Sequence, residues 1–176
     1  CAPTADESGV ICASSKRGVY LIDFRQGFVC GEWEIPFPSG NLMNRGMSIR
    51  SLDCSPNGHL VAVGQSTGNV CLLDQRMGIL YGSRKVHEGG CGVGKLAFLG
   101  DSTLVSTSPS DRQLRMWSLQ NLMDSSADGL GTVSGIQLGV PGVLGASISH
   151  AHRQIHLVSP NKALYYDFDG LSSSMQ

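Results

Sequence analysis

Charge is the first thing in short supply. Lys, Arg, Asp and Glu make up 15% of the 176 residues, and 13 basic against 14 acidic side chains leave a formal net charge of −1. That balance gives no electrostatic footing for a nucleic-acid backbone. No apolar run approaches the roughly 20 residues that a membrane-spanning helix needs, and no secretory signal is written. The six cysteines, at positions 1, 12, 30, 54, 71 and 91, form no C-x-x-C pair, so zinc and thiol-redox spacings are absent. Cys12, Cys54 and Cys71 lie inside apolar runs, where a reduced thiol packs as a small hydrophobe. No Asn-x-Ser/Thr glycosylation acceptor occurs, which favours a cytoplasmic setting. What is plentiful is glycine, 23 residues, beside 41% apolar residues. Low charge with many glycines predicts numerous short strands and turns, not helices or disorder.

The densest pattern runs from His87 to Ser118. A His in a Gly-rich loop is followed by three apolar runs: Lys95–Leu99, Thr103–Thr107 and one ending in Trp117-Ser118. The turns Gly100-Asp101 and the polar one holding Asp111 separate them, which predicts an antiparallel meander. Asp111 stands where it can accept a hydrogen bond from His87, and Thr107 where it can bridge to the indole N–H of Trp117, which needs a partner if buried. With His87, Thr107, Asp111 and Trp117 as a structural relay, this stretch resembles one blade of a WD40 β-propeller, Trp-Ser replacing Trp-Asp.

The same unit recurs. Its third strand is written as Gly18–Asp23, Asn69–Asp74, Leu114–Ser118 and Ala163–Asp167, with Ile22, Leu73, Trp117 and Tyr166 in equivalent places. These strands are apolar at successive positions, as suits sheets covered on both faces. The expected fold is therefore all-β, a WD40-type propeller in a partial ring of about four blades. The blades fall near residues 8–34 (incomplete, with little room for an innermost strand before Val10), 48–86, 93–138, and 143–168 without an outer strand. In the second blade Thr67 and Leu73 replace the relay Asp and Trp, so packing alone is expected to hold it. The Asn121–Gly131 connection reads as a loop. Because the chain starts at Cys1 within the pattern and stops after a third strand, it is expected to be the carboxy-terminal part of a ring of about seven blades.

Three constellations suggest chemistry. Gly89–Leu96 satisfies G-x-x-x-x-G-K, but Leu96 stands where a phosphate-binding loop needs Ser or Thr, and a strand is expected where that loop needs a helix. His150, His152 and His156 have no neighbouring carboxylate or Cys in sequence to complete a metal shell. His87 and Asp111 imitate a catalytic pair, yet the expected nearby hydroxyl, Thr107, is committed to the indole. Neither a metal nor a cofactor is expected, nor a small-molecule substrate. The more informative residues are cations in the turns between second and third strands and in the blade-joining loops: Lys16, Arg17, Arg45, Arg84, Lys85, Arg112 and Lys162. They are expected to form a basic rim that receives an acidic or phosphorylated segment, or an anionic membrane surface.

Within the WD40 class, the run SIRSLDCSPNGHLVAVGQSTGNVCLLDQRMG…HEG, with Ala13–Arg25 before it, resembles the carboxy-terminal propeller of the BEACH and WD40-repeat proteins of endosomal trafficking. The resemblance implies a large cytosolic protein with an upstream BEACH domain. Its propeller would be a non-enzymatic scaffold that binds other proteins through its loop face. It would associate with endosomes or lysosomes through those partners, in endolysosomal maturation and autophagic clearance. The alternative is a WD40 substrate adaptor of a ubiquitin ligase.

Overall fold

Leu60–Gln65 and Asn69–Asp74 set the architecture. All twelve residues are buried, and alternate ones leave the backbone on opposite faces. Leu60, Ala62, Val70 and Leu72 enter one core with Phe98, Leu104 and Trp117. Val61, Val63, Cys71 and Leu73 enter another with Ile11, Val19 and Ile35. One sheet thus sits between two neighbours, which explains the consecutive apolar positions. A computed structural model describes residues 1–14, 17–36, 47–88, 91–111, 113–123, 132–137, 145–149, 154–159 and 161–167.

Among the described residues four antiparallel meanders follow one another. The first comprises β1 (Ala2–Pro3), β2 (Gly9–Ala13), β3 (Gly18–Asp23) and β4 (Phe28–Glu34); the second β5 (Ile49–Cys54), β6 (Leu60–Gln65), β7 (Asn69–Asp74) and β8 (Ile79–Lys85). The third comprises β9 (Lys95–Leu99), β10 (Thr103–Ser108), β11 (Gln113–Ser118) and β12 (Thr132–Gln137); the fourth β13 (Gly145–Ser149), β14 (Gln154–Val158) and β15 (Ala163–Asp167). Each is ordered as it is written, first strand innermost, and the innermost strands adjoin in succession, β1 by β5, β5 by β9, β9 by β13. The turns after first and third strands therefore lie at one end of the sheets. Those after second strands lie at the other, with the blade-joining connections.

Two elements differ from the sequence expectation. The first blade does have an innermost strand: Ala2 and Pro3 pair with Ile11 and Val10. Two residues are too few to show a period, and Pro is tolerated on an edge strand because its missing N–H is not needed there. After β11 the chain forms a short helix, α1 (Leu119–Met123), in place of an immediate loop. Leu119 and Leu122, three apart, share a helix face and are buried in the core between the second and third blades. Residues 124–131, the rest of that connection, lie outside the described residues, as do 37–46 and 168–176.

Between blades the ties are polar as well as apolar. Asp53 on β5 accepts the backbone N–H of Phe98 on β9 at 2.8 Å, and Ser51 donates to the carbonyl of Val93 at 3.2 Å. A carboxylate on a backbone N–H is a charge-assisted bond, stronger than its neutral counterpart.

Candidate functional site

The connection that leaves β8 reaches the third blade past the turn between β6 and β7. Gly68 in that turn accepts the amides of Val86 and His87 at 2.8 and 3.0 Å. Its φ of +86° is left-handed, and a Cβ there would collide with the carbonyl oxygens of His87 and Cys91. Only glycine satisfies both demands. The result is a His87 held with no solvent exposure.

From there a one-way chain of hydrogen bonds runs through the third blade. The indole Nε1–H of Trp117 donates to Ser106 Oγ at 2.9 Å. Ser106 Oγ lies 2.9 Å from His87 Nε2, and His87 Nδ1 lies 2.6 Å from Asp111 Oδ2. Taking Nδ1–H as the donor to the carboxylate, Nε2 accepts from the hydroxyl and every polar atom is used once. Asp111 Oδ1 also accepts the amide of Gln113 at 2.9 Å, which anchors it to its own turn. The structure thus brings together His87, Asp111 and Trp117, and corrects the hydroxyl: it is Ser106, not Thr107.

Register explains the correction. Leu104 pairs with Trp117 and Thr107 with Leu114, so Leu104, Ser106 and Trp117 share one sheet face while Thr107 belongs to the other. The signal was present. Ser108 pairs with Gln113 across a four-residue turn, and counting from that turn places an even-numbered residue on the indole face.

Burial pushes the His87 imidazole below its ordinary range, and Arg115 nearby acts the same way, while Asp111 pulls in the opposite direction. The neutral ring is what the donor pattern requires. Asp, His and Ser in hydrogen-bonded series are the parts of a nucleophilic triad. Here both His87 and Ser106 are fully buried, and the hydroxyl oxygen already accepts from the indole. No substrate atom has room to reach it, and the arrangement braces the blade.

The second blade has a polar tie that the sequence reading missed. Fully buried Gln65 donates to the carbonyl of Pro36 at 2.9 Å and contacts Cys71 Sγ at 3.3 Å, and Thr67 Oγ1 donates to its carbonyl at 3.2 Å. It ties the incoming connection to the sheet, as His87 does in the third blade, so packing does not act alone. A long amide replacing a His relay leaves no spacing signature, which is why it escaped notice. Burial also drives Cys54 up to about 12 and raises Cys71, so both stay thiols.

In the glycine-rich loop, Cys91 donates to Glu88, Val93 to Gln65 and Gly94 to Thr107, at 3.2, 3.0 and 2.8 Å. Those amides are spent on carbonyls, and Lys95 opens strand β9. Gly89 and Gly90 lie outside the described residues, as do His150 and His152, while His156 is exposed on β14. Among the described residues no group of three His, Cys, Asp or Glu is placed to hold a metal ion, and no helix is long and apolar enough to cross a membrane.

Of the basic residues, Arg17 stands 3.8 Å from Glu34, and Lys85 donates to the carbonyl of Thr67 at 3.1 Å. Arg84 is partly buried near the end of β8, and Lys162 is exposed in the turn between β14 and β15. Arg17, Arg84, Lys85 and Lys162 all lie toward the end of the sheets that carries the blade-joining connections. Lys16, Arg45 and Arg112 lie outside the described residues.

Successive antiparallel meanders with adjoining inner strands and a buried His–Ser–Trp brace define an all-β, WD40-type β-propeller architecture. Residues 79–118 match the family described as WD domain, G-beta repeat, so the chain contains a WD40 repeat centred on the braced third blade. It is similar to WD repeat-containing protein 81 of Rattus norvegicus, Homo sapiens and Danio rerio, 32% identical to each over 113 residues. The match covers 64% of this chain and 5% of those relatives, so the chain spans about one-twentieth of their length. Among solved structures, a chain of Kuenenia stuttgartiensis hydrazine synthase superposes with a TM-score of 0.75 at 13% identity, over 96% of this chain and 45% of its own. A chain of the mitotic checkpoint complex superposes with a TM-score of 0.73 at 16% identity, over 94% and 45%. At those identities the likeness is one of fold.

Proposed function

We propose that this chain is a non-enzymatic interaction scaffold, the propeller of a larger BEACH and WD40-repeat protein that gathers partners on endosomes or lysosomes and serves autophagic clearance. The observation that carries the non-enzymatic part is the sealed brace: His87 and Ser106 of the third blade have no solvent access, and the Ser106 hydroxyl is committed to Trp117. The trafficking part rests on the resemblance of Ser48–Gly90 and Ala13–Arg25 to the carboxy-terminal propeller of BEACH and WD40-repeat proteins. Partners would meet the loop face, where Arg17, Arg84, Lys85 and Lys162 offer charge to acidic or phosphorylated segments.

Proximity labelling from the full-length protein tests the setting. Recovery of endosomal and lysosomal proteins is the expected result, whereas recovery of ubiquitin-ligase subunits would favour a substrate adaptor. Arg17→Glu combined with Lys162→Glu should weaken partner capture about tenfold, a loss of about 1.4 kcal/mol; unchanged capture would refute the rim.

A further inference from the structure

At the end of the sheets opposite the loop face, the first two blades leave a cleft of about 410 Å³ between them. Two near-copies of one turn stand on its two sides: Asp23-Phe24-Arg25-Gln26-Gly27 after β3, and Asp74-Gln75-Arg76-Met77-Gly78 after β7. In each, one carboxylate oxygen of the Asp accepts the amides of the next two residues but one, at 2.7 and 3.3 Å for Asp23 and 3.0 and 3.2 Å for Asp74. The same Asp then takes its Arg by Nε and Nη2, with Nη2 at 3.2 Å in both. These bonds hold both carboxylates well below the usual range.

Each guanidinium is thereby fixed, with two of its nitrogens committed and Nη1 without a partner among the described residues. Arg25 and Arg76 remain 72% and 56% exposed and both line the cleft. The floor is braced by Gln75, which donates to the carbonyl of Gly58. Acidic lining comes from Asp6 and Asp23. Asp23 is occupied as described, and Asp6 accepts the amide of Ser8. The second-blade wall, with His59, Gln75 and Arg76, contributes no carboxylate to the lining.

Phe24 precedes Arg25 and Met77 follows Arg76 in the chain, and Phe28 pairs with Asp23 on β4; each is more than half exposed. Large exposed apolar side chains next to an exposed Arg are the composition of a protein contact and not of a solvated turn. The turn itself does not require them. In the third blade the equivalent place reads Ser118-Leu119-Gln120, and there Leu119 is buried in α1.

We propose that this cleft docks an extended segment of a partner protein that carries a carboxylate next to bulky apolar side chains. The carboxylate pairs with the edge of Arg76 that Asp74 leaves open, and the apolar side chains cover Phe24, Phe28 and Met77. This rests on the reading of the chain as an interaction scaffold and adds a second face with its own ligand chemistry.

The test is selection of a displayed library of random twelve-residue peptides on the full chain. Recovered peptides are then measured by fluorescence anisotropy against Arg76→Gln, Phe24→Ser with Met77→Ser, and the loop-face variant Arg17→Glu. The expected result is peptides enriched in Asp or Glu beside Leu, Ile, Phe or Trp, whose affinity falls at least tenfold in each cleft variant and stays unchanged in Arg17→Glu. Because Phe24 and Met77 are exposed, the double Ser variant reports on binding even if Arg76→Gln loosens its turn. Peptides that depend on Arg17 and not on the cleft variants would overturn this proposal while leaving the scaffold reading intact. Sedimentation with phosphatidylcholine–phosphatidylserine vesicles that the cleft variants abolish would also overturn it, in favour of a membrane surface.

Discussion

Ser106→Ala strands two buried groups at once, the indole N–H of Trp117 and Nε2 of His87. Each unsatisfied buried polar group costs about 1–3 kcal/mol, so the variant should lose about 2–4 kcal/mol in urea denaturation. Thr107→Val, one position along and on the other sheet face, should lose less than about 1 kcal/mol. A larger loss from Thr107→Val would return the bridging role to that residue. The lowered His87 value has its own consequence. Unfolded His titrates near 6.5 while the folded ring resists protonation, so the unfolded chain takes up the proton first. The contribution is complete above pH 6.5 and is lost as pH falls through 6.5 toward the lower folded value. His87→Gln should therefore flatten the slope of stability between pH 7 and 5. At this scale the sequence named His87, Asp111 and Trp117 because their spacing follows from hairpin lengths. It missed Ser106 because a Ser and a Thr stand side by side, and only register decides which faces the indole.

Among the elements, the turns and the inner strands carry the joins between blades. Gly68→Ala meets both a left-handed φ and the carbonyls of His87 and Cys91, whereas Gly27→Ala, at φ +71°, meets open space. The second should cost only the backbone penalty, about 1 kcal/mol, and the first should exceed it by more than about 1 kcal/mol. Equal losses would mean that the blade-joining connection yields to the added methyl. Asp53→Ala removes the acceptor of the Phe98 amide, so hydrogen exchange should quicken at β9 and not at β14, which pairs with β13 and β15 in the fourth sheet. Uniform quickening would show that the sheets open as one unit. The strands of the second blade were legible because apolar residues occupy both faces without a break from Leu60 to Val63 and from Val70 to Leu73. β1 was not, since two residues have no period, nor was α1, whose Leu119, Leu122 and Met123 sit in a stretch too short to show helical spacing.

For the whole molecule, the two cores on either side of the second blade make each sheet depend on its neighbours, so stability is shared across blade interfaces while function is left to the two ends. One end carries the blade-joining loops with Arg17 and Lys162, the other the paired Asp-x-Arg turns. The loop-face cations could be named from turn positions alone. The cleft could not, because it forms only where turns about 51 residues apart in the chain meet across a blade interface. The most direct measurement is quantitative co-purification with the full-length protein, compared with the same protein lacking these 176 residues. Loss of a defined set of endosomal or lysosomal partners on deletion is the predicted result; an unchanged partner set would contradict the scaffold.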